Sequence, residues 1–334
     1  MQQQTGTDEF NILRLGHIEY LVSDLDRSRD FYVNLVGLFE TERDDKHVYL
    51  RAIEDREHHC VVLTQSDTPG IGHFSFRVAS EKDLDRLAAK FESRGLPIRW
   101  LAPGEEKGQG RALRVQDPFG FTVEYYAQMD AAPWMLQQYH LHRHGAPTRL
   151  DHLNVLVPDA QAGFDWYTKE LGFFCAEYTA TDNDDGVWAS WLFRKATTHD
   201  VAVMTGTGPT VHHAGFALME PYGVIKACDA LAAAGYADNI ERGPARHGIS
   251  NALFVYVRDP DGNRFELYTG DYLTTDRDAP PVRWELDDPR RQTLWGAPPP
   301  RRWFEESMAM RSLDGQTMQE TTEPLKRAIP TYVK

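Results

Sequence analysis

The sequence predicts an α+β protein in which tandem βαβββ modules form two half-barrel domains. Three observations predict this fold class: the two halves of the chain match each other, each half runs strand, helix and then strands, and the apolar content is sufficient for two cores. The chain has 334 residues, of which 41% are apolar, enough for two domains of ordinary size.

The duplication is the most informative of these observations. Residues 15–38 match residues 150–173, and His17 aligns with His152 at a shift of 135 (152 − 17). The later matches, at shifts of 140 and 142, pair residues 72–76 with 212–216 and residues 117–124 with 259–266. A nearly constant shift over so many positions indicates an internal repeat, and its slow growth indicates small insertions in second-half loops.

Local patterns assign the elements of the second half. His152 to Val157 alternates and is rich in branched residues, which predicts a strand. Ala160 to Leu171 has helical spacing, and Gly172 is placed to end the helix. Asp-Pro-Asp-Gly at 259–262 predicts a turn between two strands, Ala252 to Val257 and Arg264 to Tyr268.

The repeat also predicts the domain organisation. We expect two βαβββ modules in each domain and no catalytic role for the first domain. The C-terminal extension has no repeat partner, and we expect it to form a lid over the active site. The predicted segments are an N-terminal domain at 1–130, a linker at 131–148, a catalytic metal-binding domain at 149–270 and the extension at 271–334.

Composition narrows the function. The three cysteines, Cys60, Cys175 and Cys228, are odd in number and far apart, which argues against a disulfide framework and fits a reducing cytosol. The net charge of −14 disfavours binding to nucleic acid. The sequence contains neither a run of about 18 apolar residues nor a secretory leader pattern. We therefore expect a cytoplasmic protein that binds a small molecule.

Three polar residues on predicted strands suggest a metal site. His152, His213 and Glu266 come from three strands that can converge if the sheet curls. Two imidazoles and one carboxylate suit Fe(II) or Mn(II) and leave coordination positions open. His213 is preferred to its neighbour His212 because it aligns with a histidine in the first half, and alternation along the strand would point His212 the opposite way.

The first half carries a matching set, and periodicity alone does not say which half binds metal. This set consists of His17, His73 and Glu124. The neighbouring residues favour the second half, where His199 supplies an acid–base group that titrates near neutral pH and Tyr256 supplies a hydrogen-bond donor. At the matching positions the first half has His58 but Arg114, so its acid–base pair is incomplete. A vestigial or second metal site in the first half is the alternative.

Several stretches carry a resemblance to a known family. They are residues 150–152, 195–205, 241–251 and 264–272, together with Arg290-Arg291. Through these stretches the chain resembles, as far as about Trp295, the extradiol catechol dioxygenases of the vicinal oxygen chelate superfamily, whose fold is glyoxalase-like. Within that family it is most similar to enzymes that cleave homoprotocatechuate (3,4-dihydroxyphenylacetate).

The resemblance implies a role for each site residue. It implies metal ligation by His152, His213 and Glu266, with Fe(II) or alternatively Mn(II) as cofactor and O2 as co-substrate. It also implies acid–base catalysis by His199, a hydrogen bond from Tyr256 to the substrate, and a homotetramer. The residues that it assigns to substrate binding are Arg242, His247, Arg291, Trp191 and Asn154.

The resulting functional prediction is extradiol cleavage of a carboxylate-bearing catechol, 3,4-dihydroxyphenylacetate, to 5-carboxymethyl-2-hydroxymuconic semialdehyde. Arginines suit such a substrate because the planar guanidinium matches a carboxylate. The alternatives are a dioxygenase for another catechol, a lyase or isomerase of the same superfamily, and a protein that binds an aromatic ligand. The lyases and isomerases generally use a second glutamate as ligand, whereas His199 and Tyr256 fit oxygen chemistry better.

Overall fold

The computed structural model describes residues 9–181, 183 and 186–333. Two mixed sheets with few helices form the fold, as predicted. The first sheet comprises β1 (Ile12–Val22), β2 (Phe39–Arg43), β3 (His47–Arg51), β4 (Val61–Gln65), β5 (Gly70–Val78), β6 (Ile98–Leu101), β7 (Ala112–Gln116) and β8 (Thr122–Tyr126). The second comprises β9 (Arg149–Val157), β10 (Phe174–Ala180), β11 (Val187–Phe193), β12 (Val201–Thr205), β13 (Thr210–Ala217), β14 (Ile240–Arg246), β15 (Leu253–Arg258), β16 (Arg264–Thr269) and β17 (Val282–Glu285).

The helices complete the predicted modules. They are α1 (Leu25–Asp30), α2 (Glu81–Ser93), α3 (Ala160–Asp165), α4 (Pro221–Ala233), α5 (Pro289–Gln292) and α6 (Arg301–Glu305). Each half therefore reads βαβββ twice: β1-α1-β2-β3-β4 and β5-α2-β6-β7-β8, followed by β9-α3-β10-β11-β12 and β13-α4-β14-β15-β16. Among the described residues, no helix is long and apolar enough to cross a membrane.

Within each sheet, the two modules meet along their first strands. The strand order is β2-β3-β4-β1-β5-β8-β7-β6 in the first sheet and β14-β15-β16-β13-β9-β12-β11-β10-β17 in the second. The central pairs β1–β5 and β9–β13 are antiparallel. The two histidines of each predicted metal set lie on such a central pair, so this topology brings them together.

The predicted local signals hold, with one difference. The helix predicted over Ala160 to Leu171 is α-helical only to Asp165 and continues as a π-helical turn over Trp166–Glu170. Gly172 takes a positive φ of 73° at its end, a conformation that costs glycine little. The first half makes the same change of helix type after α1, over Phe31–Val36, as the duplication would lead one to expect.

The halves share one apolar core. Phe31, which follows α1, packs on Phe265 of β16 with ring centroids 6.1 Å apart, and Tyr167, which follows α3, packs on Phe76 of β5 at 6.3 Å. Each half thus buries its first helical segment against the sheet of the other, where apolar burial stabilises the pairing.

The C-terminal extension crosses both halves. Its strand β17 pairs with β10, the backbone of Met308 bonds to Val211 of β13, and the backbone next to Met310 bonds to Ile71 of β5. The domain boundaries at 130, 148 and 270 remain predictions.

Candidate active site

Three adjacent strands bring His152, His213 and Glu266 together. In the register of β9, β13 and β16, Gly215 lies between His152 and Glu266. Because glycine lacks a Cβ, the His152 ring occupies this space: a methyl group at Gly215 would lie 2.2 Å from two atoms of the ring. His152 Nε2 is 3.0 Å and His213 Nε2 is 3.4 Å from Glu266 Oε2.

The donor set fits a divalent metal. One ligand atom from each of these residues lies within 4.8 Å of the others, and all three residues are buried. Glu266 Oε1 has no hydrogen-bond partner among the described residues. Burial acts to raise the pKa of Glu266, but the neighbouring imidazoles of His152, His213 and His247 outweigh it and hold the pKa well below its usual value. An ionised carboxylate beside two imidazoles matches the 2-His-1-carboxylate arrangement.

A β-bulge changes the expected position of His212. The register of β13 against β9 shifts between Val211 and His213, so simple alternation fails at this point. His212 Nδ1 lies 2.7 Å from His213 Nδ1, and His212 Nε2 lies 2.7 Å from the carbonyl oxygen of Trp303. The expectation that His212 points away was therefore wrong: His212 links His213 to the C-terminal extension.

The loop before β12 positions His199. The Asp200 carboxylate accepts hydrogen bonds from the backbone N–H groups of Arg194 and Lys195 and, from the first half, Leu15. These bonds fix the loop, and the centroid of the His199 ring lies 4.0 Å from that of the His152 ring, with the two rings tilted by 33°.

The electrostatics of His199 suit a proton acceptor. Its Nδ1 is 3.0 Å from Thr198 Oγ1. Burial lowers the pKa of His199 well below its ordinary value, and the nearby His152 lowers it further. The imidazole is therefore neutral at neutral pH and can accept a proton.

Tyr256 faces the same cavity from β15. It pairs with Glu266 across β15 and β16, its ring centroid lies 5.0 Å from that of His213, and its hydroxyl is 3.1 Å from His247 Nε2. Burial and the Glu266 carboxylate raise the pKa of Tyr256 well above 10. The Tyr256 phenol therefore stays protonated at neutral pH and can act as a hydrogen-bond donor.

These side chains line one cavity. Of the predicted site residues, eight line it: His152, Asn154, Trp191, His199, His213, His247, Tyr256 and Glu266. Six lining residues were not predicted: Met204, Ile249, Ser250, Ala252, Gln292 and Trp303. Gln292 and Trp303 lie in the extension, which has no repeat partner, so periodicity could not reveal them.

The two predicted arginines lie behind the lining rather than in it. Arg242 donates to the carbonyl oxygen of Gln292 at 2.8 Å and to Thr293 Oγ1 at 2.9 Å. Arg291 is fully buried, and none of its three guanidinium nitrogens has a hydrogen-bond partner among the described residues. Burial lowers the pKa of Arg291, whereas Tyr332 nearby raises it, although the phenol and guanidinium are not in good hydrogen-bonding geometry. Gln292, to which Arg242 is bonded, lines the cavity.

Glu177 fastens the loop that carries Ser250. Its carboxylate accepts hydrogen bonds from the backbone N–H of Ser250 at 2.7 Å, Tyr272 Oη at 2.8 Å and Trp284 Nε1 at 2.5 Å. Ser250 takes a positive φ of 54°, which is unfavourable for a residue with a side chain. The extension thus helps to hold a strained part of the cavity wall, a feature that the sequence did not reveal.

The first-half set also converges. His17, His73 and Glu124 lie within one cluster, and Glu106, which was not predicted, completes it. At the repeat position of Tyr256 stands Arg114, which donates to Glu124 Oε2 at 2.6 Å.

Comparison with known proteins agrees with this geometry. The profile of the Glyoxalase/Bleomycin resistance protein/Dioxygenase superfamily matches residues 14–125 and 149–267. A manganese-dependent 2,3-dihydroxybiphenyl 1,2-dioxygenase from Geobacillus genomosp. 3 is 33% identical over 300 residues, which cover 86% of this chain and 94% of the relative. A metapyrocatechase from Pseudomonas sp. (strain CF600) is 32% identical over 289 residues, 83% of this chain and 92% of the relative.

A solved structure is similar over nearly the whole chain. It is the anaerobic complex of homoprotocatechuate 2,3-dioxygenase from Brevibacterium fuscum with 3,4-dihydroxyphenylacetate, with a TM-score of 0.91 and 38% identity, covering 94% of this chain and 97% of that one. The chain therefore belongs to the Glyoxalase/Bleomycin resistance protein/Dioxygenase superfamily and, within it, to the metal-dependent extradiol dioxygenases.

Proposed function

We propose that this enzyme cleaves 3,4-dihydroxyphenylacetate next to its diol, with O2, to 5-carboxymethyl-2-hydroxymuconic semialdehyde. The observation that carries the substrate proposal is Arg291, a buried cation without a hydrogen-bond partner behind the wall of the cavity that the His152, His213 and Glu266 set faces. The 38% identity to an enzyme solved with this substrate supports it.

We propose that the second half, 149–270, performs the reaction and that the extension, 271–334, forms the lid. His152, His213 and Glu266 hold Fe(II) or Mn(II). When bound, the metal supplies coordination sites for the catechol and for oxygen, and the redox chemistry between them. Fe(II) is the first candidate, and Mn(II) is favoured as a second by the manganese-dependent relative.

The remaining residues bind, orient and move protons. His199 accepts a proton during ring opening and returns it, because it is neutral and lines the cavity. Tyr256 donates a hydrogen bond to a substrate oxygen. Asn154 and Trp191 line the pocket and, with the other buried side chains, exclude water, which strengthens each electrostatic contact.

Three residues serve the substrate carboxylate in this proposal, two by contact and one by support. Arg291 has free donors, and His247 lines the cavity. Arg242 contributes positive charge and fixes Gln292, since its own donors are engaged there. Both oxygen atoms of O2 end in the product, as one C–C bond of the ring breaks and the product carries an aldehyde and a new carboxylate.

The test is anaerobic reconstitution with Fe(II), followed by addition of 3,4-dihydroxyphenylacetate and air. We expect oxygen uptake together with a yellow ring-opened product, and a parallel reconstitution with Mn(II) compares the two metals. Absence of oxygen uptake with every catechol would refute the dioxygenase proposal. An equal kcat/KM for catechol without the acetate group would refute the carboxylate contact.

We also propose a cytoplasmic homotetramer. This assembly follows from the resemblance to the family. Light scattering on the purified enzyme tests it, with a mass four times that of one chain as the expected result.

A further inference from the structure

The first half contains a second buried cluster with the composition of a metal site. His17 Nε2 lies 2.9 Å from His73 Nε2, 3.1 Å from Glu106 Oε1 and 3.5 Å from Glu124 Oε1. His73 Nε2 lies 3.5 Å and 3.7 Å from the second oxygens of the same two carboxylates. Four ligands placed tetrahedrally at about 2.1 Å from one ion lie about 3.4 Å apart, and one ligand atom from each of the four residues lies within 4.8 Å of the others.

A hydrogen bond from the Nδ1 atom of His73 to Glu19 fixes the tautomer of this imidazole. His73 Nδ1 is 2.8 Å from Glu19 Oε2, and an ionised carboxylate only accepts hydrogen bonds. His73 therefore donates through Nδ1 and presents a lone pair at Nε2 toward the cluster, where Arg114 Nη2 lies 3.3 Å away. A metal-bound histidine commonly has such a carboxylate partner on its other nitrogen.

The packing around Glu19 preserves this partner. A methyl group at Gly72 would lie 1.9 Å from Glu19 Oε2, so the glycine next to His73 makes room for the carboxylate. On the other side, Ser75 Oγ lies 2.8 Å from His17 Nδ1. Both rings are held by their outer nitrogens with their Nε2 atoms facing each other.

Protein donors also orient both carboxylates. Arg114 donates to Glu124 Oε2 at 2.6 Å and to Glu106 Oε2 at 3.0 Å. Gln109 donates to Glu124 Oε1 at 2.8 Å, and His59 lies 2.9 Å from Glu106 Oε1. Each carboxylate oxygen has two lone pairs, so Oε1 of each glutamate retains one for a ligand bond.

The charge balance of the cluster favours binding of a divalent cation. Glu19, Glu106 and Glu124 carry three negative charges, and Arg114 carries one positive charge, a balance of −2 (−3 + 1) in a buried site. Burying uncompensated charge is expensive, and a divalent ion bound among these residues would offset the excess of carboxylates. One proton shared by the two rings would leave the balance at −1.

We propose that His17, His73, Glu106 and Glu124 bind a divalent first-row transition metal, such as Zn(II), in a structural site separate from the catalytic centre. The site is closed: all four ligands come from the protein, and Arg114 occupies the side that corresponds to Tyr256 and the open cavity in the second half. Closed four-ligand sites are typical of structural metals, whereas catalytic sites keep a position open.

The test is metal content per chain, measured by mass spectrometry on protein purified from zinc- and iron-supplemented cells. We expect two equivalents in the wild type and one each in Glu106→Gln and His213→Ala. Glu57→Gln is the matched control, because Glu57 is an ion-paired glutamate of the same half outside the cluster, and it should keep both metals. Glu106→Gln should retain ring-cleavage activity, so this test is independent of the proposed reaction.

A second measurement does not depend on the folding of Glu106→Gln. We expect His213→Ala, in which only the first-half site remains intact, to bind one Co(II) and to show visible absorption of a four-coordinate N2O2 site. The proposal would be overturned if the wild-type protein held one equivalent of metal and His213→Ala bound no Co(II). A proton shared by the two rings, together with Arg114, would then supply the positive charge of the cluster. Two equivalents that Glu106→Gln does not reduce would overturn it as well.

Discussion

Gly215→Ala should release the catalytic metal although it replaces no ligand. The added methyl group would lie 2.2 Å from Cε1 and Nε2 of His152, and ordinary contact begins at 3.4 Å. The ring must therefore move by about 1.2 Å (3.4 − 2.2), whereas metal–ligand distances tolerate about 0.2 Å. We expect metal affinity to fall by about 100-fold or more, the upper end of losses caused by residues that support a ligand, and oxygen uptake to fall with it.

The assay combines metal content after dialysis with oxygen uptake at saturating catechol. Gly72→Ala is the control: its methyl group would strike Glu19 in the other half, so metal at the second half and activity should remain. The reasoning about Gly215 is refuted if the Gly215→Ala enzyme keeps its second-half metal and a kcat within about twofold of wild type.

Three further predictions follow from the site and its support. His213→Ala should abolish oxygen uptake while His73→Ala retains most of it, and comparable losses would mean that the first half takes part in the reaction. Arg291→Gln should raise KM for 3,4-dihydroxyphenylacetate by roughly 10- to 100-fold, because a charge-assisted hydrogen bond contributes about 1.5–3 kcal/mol. KM for unsubstituted catechol should stay unchanged, and a rise for both substrates would contradict the carboxylate role. Glu241→Gln should lower the free energy of unfolding at pH 7 by about 3 kcal/mol because it leaves Arg264 buried without its partner. Burial acts to raise the pKa of Glu241, but Arg264 and a second arginine lower it to about 2. The stabilisation is therefore complete above the ordinary pKa of 4.5 and is lost as the pH falls toward 2. Urea unfolding of both proteins should show a smaller difference in stability at pH 3 than at pH 7, and an equal difference would contradict this prediction.

The internal repeat made the fold predictable. Because each unit is βαβββ, two matched units per half define the order of elements and the central antiparallel strand pair of each sheet. Alternation along those strands then placed His152, His213 and Glu266 on a common face. These inferences need only short-range pattern and the repeat, which a single sequence contains.

What the sequence did not predict depends on long-range packing or on local irregularity. Glu106 precedes β7 in a loop where no period constrains side chains. His212 turns toward His213 because of a bulge that no residue pattern announces. Trp303 and Gln292 line the cavity only because the extension folds back over the second sheet, and that extension has no repeat partner to guide its placement.

The proposed function implies that duplication has yielded a single open catalytic site. Arg114 and Tyr256 occupy the same register position, opposite Glu124 and Glu266 respectively. A guanidinium at that position bonds both carboxylates of its cluster and fills the space beside them, whereas the phenol of Tyr256 remains neutral and adjoins a cavity. Since a catechol needs vacant coordination positions as well as ligands, retained histidines do not by themselves make a half catalytic. We propose that the residue across the strand from the glutamate decides whether a substrate can approach.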